Sequence, residues 1–263
     1  MAQVYYKNSK LCLGYFLYEI AHHCNINCKS CDHCAPLAKE EFADFDVFKN
    51  DLIRMGEIFS HIDLIGIMGG EPLLNKDVLK FLEETRKIFP LSNIVLFTNG
   101  ILLLNQPKSF WETLFKNKIS VLVTVYRLNI NYKKMKEIAQ KYKVSIGFKP
   151  NLEFCKAPLD ITGSQDNNER IKDCYQANHC ATLDNGRLFR CSLVTSSKHF
   201  NEFFSQNLKI ENGDFLDIHQ KSLTDEQIVE YFSNPLPFCR YCKLNERKNI
   251  GWEFSKRKIE EWT

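Results

Sequence analysis

The chain has 263 residues, 44% hydrophobic and 25% charged, which suffices for one substantial core and excludes disordered and fibrous classes. The formal net charge of +3 is small and evenly spread, so charge names no partner and predicts no nucleic-acid binding. No apolar run approaches a bilayer span and no apolar stretch follows a basic one at the start, which predicts a cytoplasmic protein without membrane contact.

From about residue 14 to 150, short β-prone runs alternate with longer amphipathic ones. Strands are predicted over 14–20, 64–68, 94–98, 121–126 and 144–148, most of them without clean polar alternation. Helices are predicted over 47–59, 76–89, 107–118 and 131–143, where apolar residues recur at three- and four-residue spacing. In the second of these Val78, Leu79, Leu82 and Ile88 share a side, and Asn75 is the predicted N-cap. Repeated β-then-α units imply parallel strands with crossover helices, in an open doubly wound sheet or a full or partial barrel. Functional residues should then gather at the C-terminal strand ends. Residues 156–173 are polar and turn-rich and read as a linker. CATLDNGRLFRC follows, two β-prone arms joined by Asn185-Gly186, a strong hairpin signal. A polar segment with helical stretches leads to Cys239-Arg240-Tyr241-Cys242.

Cysteine is the outlier, with 11 residues. In a chain of this size, odd in count and with no export signal, clustered thiols argue for metal ligation over disulfides. Cys24, Cys28 and Cys31 form a CX3CX2C array on the loop after the first strand. Three thiolates leave a coordination position open, where a structural site would normally close all four. The second strand ends in Met68-Gly69-Gly70-Glu71-Pro72. Glycines allow close backbone approach to a ligand, and a carboxylate can hold an ammonium by a charge-assisted hydrogen bond; a plain turn before a helix would need the same residues. Thr98 and Asn99 end the third strand and Thr124 lies on the fourth, where strand-end hydrogen bonding is the alternative reading. Five further thiols, Cys174, Cys180, Cys191, Cys239 and Cys242, compete for four places around the hairpin and the closing CX2C, a pattern that a zinc ribbon also shows. Cys12 reads as a small buried residue and Cys155 is undecided. His22, His23 and His33 read as hydrogen-bonding groups, and Trp252 and Phe254 as tail packing.

The triplet and the Gly-Gly-Glu-Pro turn, in this order and on these strand ends, resemble the radical S-adenosylmethionine (radical SAM) superfamily. Its signature is CX3CXΦC with an aromatic residue usual at Φ, where this chain has Ser30. The resemblance implies an α/β fold, a partial (β/α)6 TIM-type barrel, with a 4Fe-4S cluster on Cys24, Cys28 and Cys31 and S-adenosylmethionine (SAM) on its open iron. Gly69, Gly70, Glu71, Pro72, Thr98, Asn99 and Thr124 are the implied SAM contacts, with Glu71 facing the amino group. Cys34 is then surplus and reads as a packed thiol, because a thiolate on the open iron would block SAM. The second thiol set, with Gly186 and Cys191 spaced as GX4C, resembles the SPASM auxiliary-cluster domain in its short twitch form. That implies a core over 1–155, then a linker and a small β-hairpin-plus-helix twitch domain over 156–263. It also implies one auxiliary 4Fe-4S cluster on Cys191, Cys239, Cys242 and either Cys174 or Cys180, of which Cys174 fits the spacing better.

The implied activity is that of an oxidoreductase that cleaves SAM reductively to a 5′-deoxyadenosyl radical, which takes hydrogen from a substrate. Organisation is similar to the family's compact cyclitol dehydrogenases, which points to a sugar- or cyclitol-like small molecule. The alternatives are a peptide-modifying maturase and a non-catalytic iron–sulfur or zinc protein. An external one-electron donor such as flavodoxin or ferredoxin is implied. No catalytic side chain stands out; Tyr126, Arg127 and Lys149 at strand ends read as structural or solvated.

Overall fold

The structure, a computed structural model, describes residues 3–166, 172 and 174–263. Residues 167–171 and 173 of the expected linker lie outside the described residues. The chain opens as a hairpin of β1 (Val4–Lys7) and β2 (Lys10–Glu19), turned by Asn8 and Ser9 at φ 52° and 60°. Two left-handed residues give the turn whose twist matches that of the strands it joins. From β2 the expected alternation follows: α1 (Phe45–Ile58), β3 (His61–Met68), α2 (Val78–Ile88), β4 (Asn93–Thr98), α3 (Lys108–Lys116), β5 (Ile119–Val125), α4 (Tyr132–Lys141) and β6 (Ile146–Pro150). Strands β2 to β6 lie side by side in sequence order and all pair in parallel.

The core forms between the sheet and these helices. Phe16, Ile65, Leu96 and Val121 pack in one buried cluster with Phe48 and Leu52 of α1, Phe81 and Leu82 of α2, Trp111 of α3 and Met135 of α4. Along β4 and β5 buried and half-buried residues alternate. The sequence does not show this alternation because the inner face is also partly apolar, and its members Phe97 and Thr124 line a cavity.

After β6, β7 (Glu153–Lys156) leaves the sheet and pairs with β11 (Lys248–Gly251) as a separate antiparallel ribbon. Next come α5 (Tyr175–His179) and the hairpin β8 (Thr182–Asp184) and β9 (Arg187–Phe189), with Asn185 and Gly186 at φ 47° and 75°. Strand β8 lies parallel to β2 through Leu17 with Thr182 and Tyr18 with Leu183. The sixth parallel position of the partial barrel is therefore filled by the first arm of the hairpin; among the described residues β6 is followed by β7 and not by a helix. The same sheet runs on antiparallel through β9 to β10 (Phe215–Asp217), and α6 (Ser192–Phe204) and α7 (Asp225–Ser233) pack nearby. Asp51 of α1, 1% exposed, accepts the Gly186 N–H at 2.9 Å and pairs with His219 Nε2 at 2.8 Å, which ties the hairpin turn to the barrel.

One local expectation fails. Residues Pro72–Leu74 form a 3-10 turn of their own, so α2 starts later and Asp77 takes its N-cap position. Asn75 instead donates to Ile20 O at 2.8 Å and accepts from Asp77 N at 2.9 Å, joining β2 to the segment that follows β3. Among the described residues no helix is long and apolar enough to cross a membrane.

Candidate functional site

The loop after β2 carries the first thiols and is held from below by Glu19. That buried carboxylate lies 2.6 Å from His33 Nδ1 and 3.8 Å from His22 Nδ1. Burial pushes its pKa up, but the two imidazoles outweigh burial and hold it below the usual range. Backbone of the β3 end runs directly along this loop: Gly70 N donates to Ala21 O at 2.7 Å and Glu71 N to His23 O at 3.1 Å. A Cβ on Gly69 would lie 2.1 Å from Ala21 O, and one on Gly70 2.3 Å from His23 O. The two glycines are thus required by the approach of two backbones, a constraint separate from any ligand.

Glu71 is fully buried and its carboxylate joins two strand ends. Oε1 accepts from Leu73 N at 3.0 Å and Thr98 Oγ1 at 2.7 Å, and Oε2 from Asn99 N at 2.8 Å. Burial raises its pKa to about 7 in spite of these three donors. Gly69, Gly70, Thr98, Asn99 and Thr124 line a cavity of about 480 Å3, whereas Glu71 and Pro72 are not on its wall.

Cys24, Cys28 and Cys31 open onto the same cavity. Cys24 Sγ accepts from Ile26 N at 3.4 Å and Asn99 Nδ2 at 3.6 Å. Burial pushes the Cys24 and Cys31 thiols up to about 12 and raises Cys28 too, with mutual repulsion adding to the Cys24 and Cys31 shifts. Such thiols stay protonated until a metal takes the proton's place. Ser30 does not face the cavity: it is buried at φ 54° and donates to Glu261 O.

The C-terminal segment straps this loop. Trp252 Nε1 donates to Cys28 Sγ at 3.1 Å, Trp262 Nε1 to Cys31 O at 3.1 Å, and Ser255 N to Asn27 O at 2.8 Å. The sequence predicts only tail packing for Trp252; its bond to Cys28 Sγ carries no signal in the sequence, because 224 residues separate the partners.

The second thiols converge from three elements. Cys174 and Cys180 flank α5, Cys191 is the N-cap of α6, and Cys239 and Cys242 belong to the turn Pro237–Tyr241 and its end. Burial raises Cys191 well above its ordinary value, and Cys242, Cys174 and Cys239 raise it further. Burial, then Cys239 and Cys174, push Cys242 up to about 12, and burial, then Cys174, push Cys239 up to about 11. Cys180, about 11, is raised by burial and then by Asp32 and Cys174. Cys174, Cys191 and Cys239 pack against one small apolar cluster with Ala177 and Leu236, which does not include Cys180. Cys34 is fully buried among Leu37, Leu159, Phe200 and Phe238.

Cys174, Cys191 and Cys242 reach the cavity that the first thiols line. Also on its wall is an ion pair between Lys156 of β7 and Asp32, which the sequence did not single out. Burial pushes the Lys156 ammonium down and Asp32 more than restores it, so Lys156 is a charged group among thiols. Among the described residues no three Cys, His, Asp or Glu side chains are drawn together as one metal ion requires.

Residues 13–170 match the family described as a 4Fe-4S single cluster domain. The GTP 3',8-cyclase of Staphylococcus epidermidis is 32% identical over 148 residues, which is 49% of this chain and 42% of that protein. The GTP 3',8-cyclase of Clostridium acetobutylicum is 26% identical over 155 residues, 57% of this chain and 46% of that protein. The matched part thus spans less than half the length of these relatives. Among solved structures, BtrN in complex with AdoMet and 2-DOIA aligns with a TM-score of 0.54 at 18% identity, over 89% of this chain and 96% of that one. That likeness is one of fold.

Proposed function

This chain belongs to the 4Fe-4S single cluster domain family, and from that premise we propose that it is a radical SAM enzyme that oxidises a sugar- or cyclitol-like small molecule with two clusters at one cavity. The observation that supports this reading is that both thiol sets open onto the same space. A substrate there would meet SAM on one side and an electron acceptor on the other.

The residues present suit an iron–sulfur cube. Cys24, Cys28 and Cys31 offer three sulfurs around a cavity, in an apolar setting of Ile26 and Trp252, with N–H donors on two of the sulfurs. Donors to sulfur and low solvent exposure are what tune such a group. When bound, the cluster and SAM supply a 5′-deoxyadenosyl radical that takes a hydrogen atom from the substrate. In this reading the backbone at Gly69 and Gly70 seats the methionine end of SAM. Glu71 stands behind them and ties their turn to the β4 end, and Thr98, Asn99 and Thr124 hold polar groups farther along the wall. Lys156 and Asp32 grip a polar substrate, and the strap from Trp252 to Trp262 keeps water from the loop. Cys174, Cys191, Cys239 and Cys242 hold the auxiliary cluster, whose role is to accept the second electron of the oxidation.

The test is anaerobic incubation of the reconstituted protein with SAM and dithionite. We expect 5′-deoxyadenosine from the wild type and none from the variant in which Cys24, Cys28 and Cys31 are all Ala; retained cleavage would refute the assignment. Turnover of polyols and amino sugars, and none of peptides, supports the small-molecule reading, and the reverse result replaces it by a maturase.

A further inference from the structure

The C-terminal segment crosses the loop of the first thiols between Asn27 and Cys31. Cys28 and Phe254 are bridge partners, and Lys29 N donates to Glu253 O at 2.9 Å. Trp252, 7% exposed and bonded to Cys28 Sγ, stands edge-on to Phe254, ring centroids 4.9 Å apart; Phe254 is 59% exposed. An aromatic pair therefore leads from a ligand sulfur to the surface. Past it the chain runs Lys256-Arg257-Lys258, all exposed, with Arg257 Nη2 3.4 Å from Asn27 Oδ1. Nearby carboxylates are engaged elsewhere. Glu253 pairs with Lys29 at 2.8 Å, and Glu261 accepts from Ser255 Oγ and Lys256 N at 2.6 Å each. Glu260 is the one other acidic group of this segment and is exposed. Apart from Cys28, none of these residues lines the cavity, so a partner here leaves the substrate opening free.

We propose that this face, Phe254 rimmed by Lys256, Arg257 and Lys258, docks an acidic one-electron carrier protein of the flavodoxin or ferredoxin kind, and that its electron enters at Cys28. The proposal rests on the reading of Cys24, Cys28 and Cys31 as cluster ligands. An exposed aromatic ring supplies desolvated contact at the centre of an interface, and the cations around it steer an acidic partner and set its register. The exchange balances simply: the reduced carrier loses one electron, the group held at Cys28 gains it, and no bond forms or breaks. The chain's overall charge of +3 is too weak to steer anything, so the effect belongs to this local run.

The experiment is anaerobic stopped-flow reduction of the holoprotein by a reduced flavodoxin, with calorimetric titration of the two proteins alongside. For the wild type we expect the rate and the affinity to fall by about tenfold between low and high salt, as screened steering requires. For Lys256→Glu with Lys258→Glu we expect about a tenfold loss of both at low salt, with reduction by dithionite unchanged. A salt-independent wild type, or a double variant as fast and as tight as the wild type, overturns the proposal. Should the double variant load its cluster poorly, the wild-type salt dependence and the titration still decide. Failure of SAM cleavage even with dithionite would refute the functional reading instead, while the titration continues to test the docking face.

Discussion

Replacing Glu71 by Gln keeps the shape of the side chain and changes what its far end can accept. In the wild type three donors converge on the carboxylate, from Leu73 N, Thr98 Oγ1 and Asn99 N. An amide with its oxygen toward Leu73 and Thr98 turns its nitrogen toward the Asn99 N–H, donor against donor, at a site with no solvent exposure. Leaving buried donors unmatched costs about 1–3 kcal/mol each, so the loss is about 2–6 kcal/mol for the mismatched pair. A protonated carboxyl avoids this cost, because its hydroxyl oxygen still has a lone pair for Asn99. Charge works the other way. Burial lifts Glu71 from 4.5 to about 7, so between these values the folded protein binds a proton that the unfolded chain has released. Wild-type stability therefore falls as pH rises through this window, by about 3 kcal/mol at 1.36 kcal/mol for each pKa unit. The Gln variant lacks this contribution. Thermal unfolding followed by circular dichroism should show the variant about 5–10 °C below the wild type near pH 5, at about 2–4 °C per kcal/mol for a chain of this size. The gap should close by pH 8.5. A gap that is constant with pH, or that widens as pH rises, would refute the account of Glu71 as a buried tie between strand ends.

Two other substitutions probe the thiol sets. Trp252→Phe removes the N–H on Cys28 Sγ, and a redox titration followed by electron paramagnetic resonance should place the first cluster at a more negative potential. The expected change is about tenfold in the reduction equilibrium, which is 59 mV for one electron; the same potential with intact cluster content would show the contact to be mere packing. Cys174→Ala should remove the auxiliary cluster's iron and sulfide while Cys180→Ala spares them, and equal losses from both would undo the grouping of Cys174 with Cys191, Cys239 and Cys242.

The alternation of strands and helices was legible because each unit is set by local periodicity, and five of the parallel strands fall within a few residues of where the pattern puts them. The hairpin was legible for a different reason: Asn185-Gly186 alone fixes its turn. The burial of Cys34 could be read from the reasoning that a fourth thiolate has no place. What stayed hidden depends on contacts between distant segments. The pairing of β7 with β11, the bond from Trp252 to Cys28 and the ion pair of Lys156 with Asp32 join residues about a hundred or more positions apart, and no periodicity encodes them. Gly69 and Gly70 teach a finer lesson. The motif was visible, but its glycines answer first to the Ala21–His23 backbone, which only the packed structure reveals.

The outer edge of β2 is covered in two instalments. Strand β1 pairs with residues 10–13 of β2 as soon as the hairpin closes, but Leu17 and Tyr18 find their partners only in β8, some 165 positions later. Until those residues emerge from the ribosome, the half of the edge that leads to the cluster loop presents unpaired N–H and C=O groups to any passing strand. The sheet edge beside the first thiol loop thus closes just before Cys191 is made, while Cys239 and Cys242 follow only near the end of the chain.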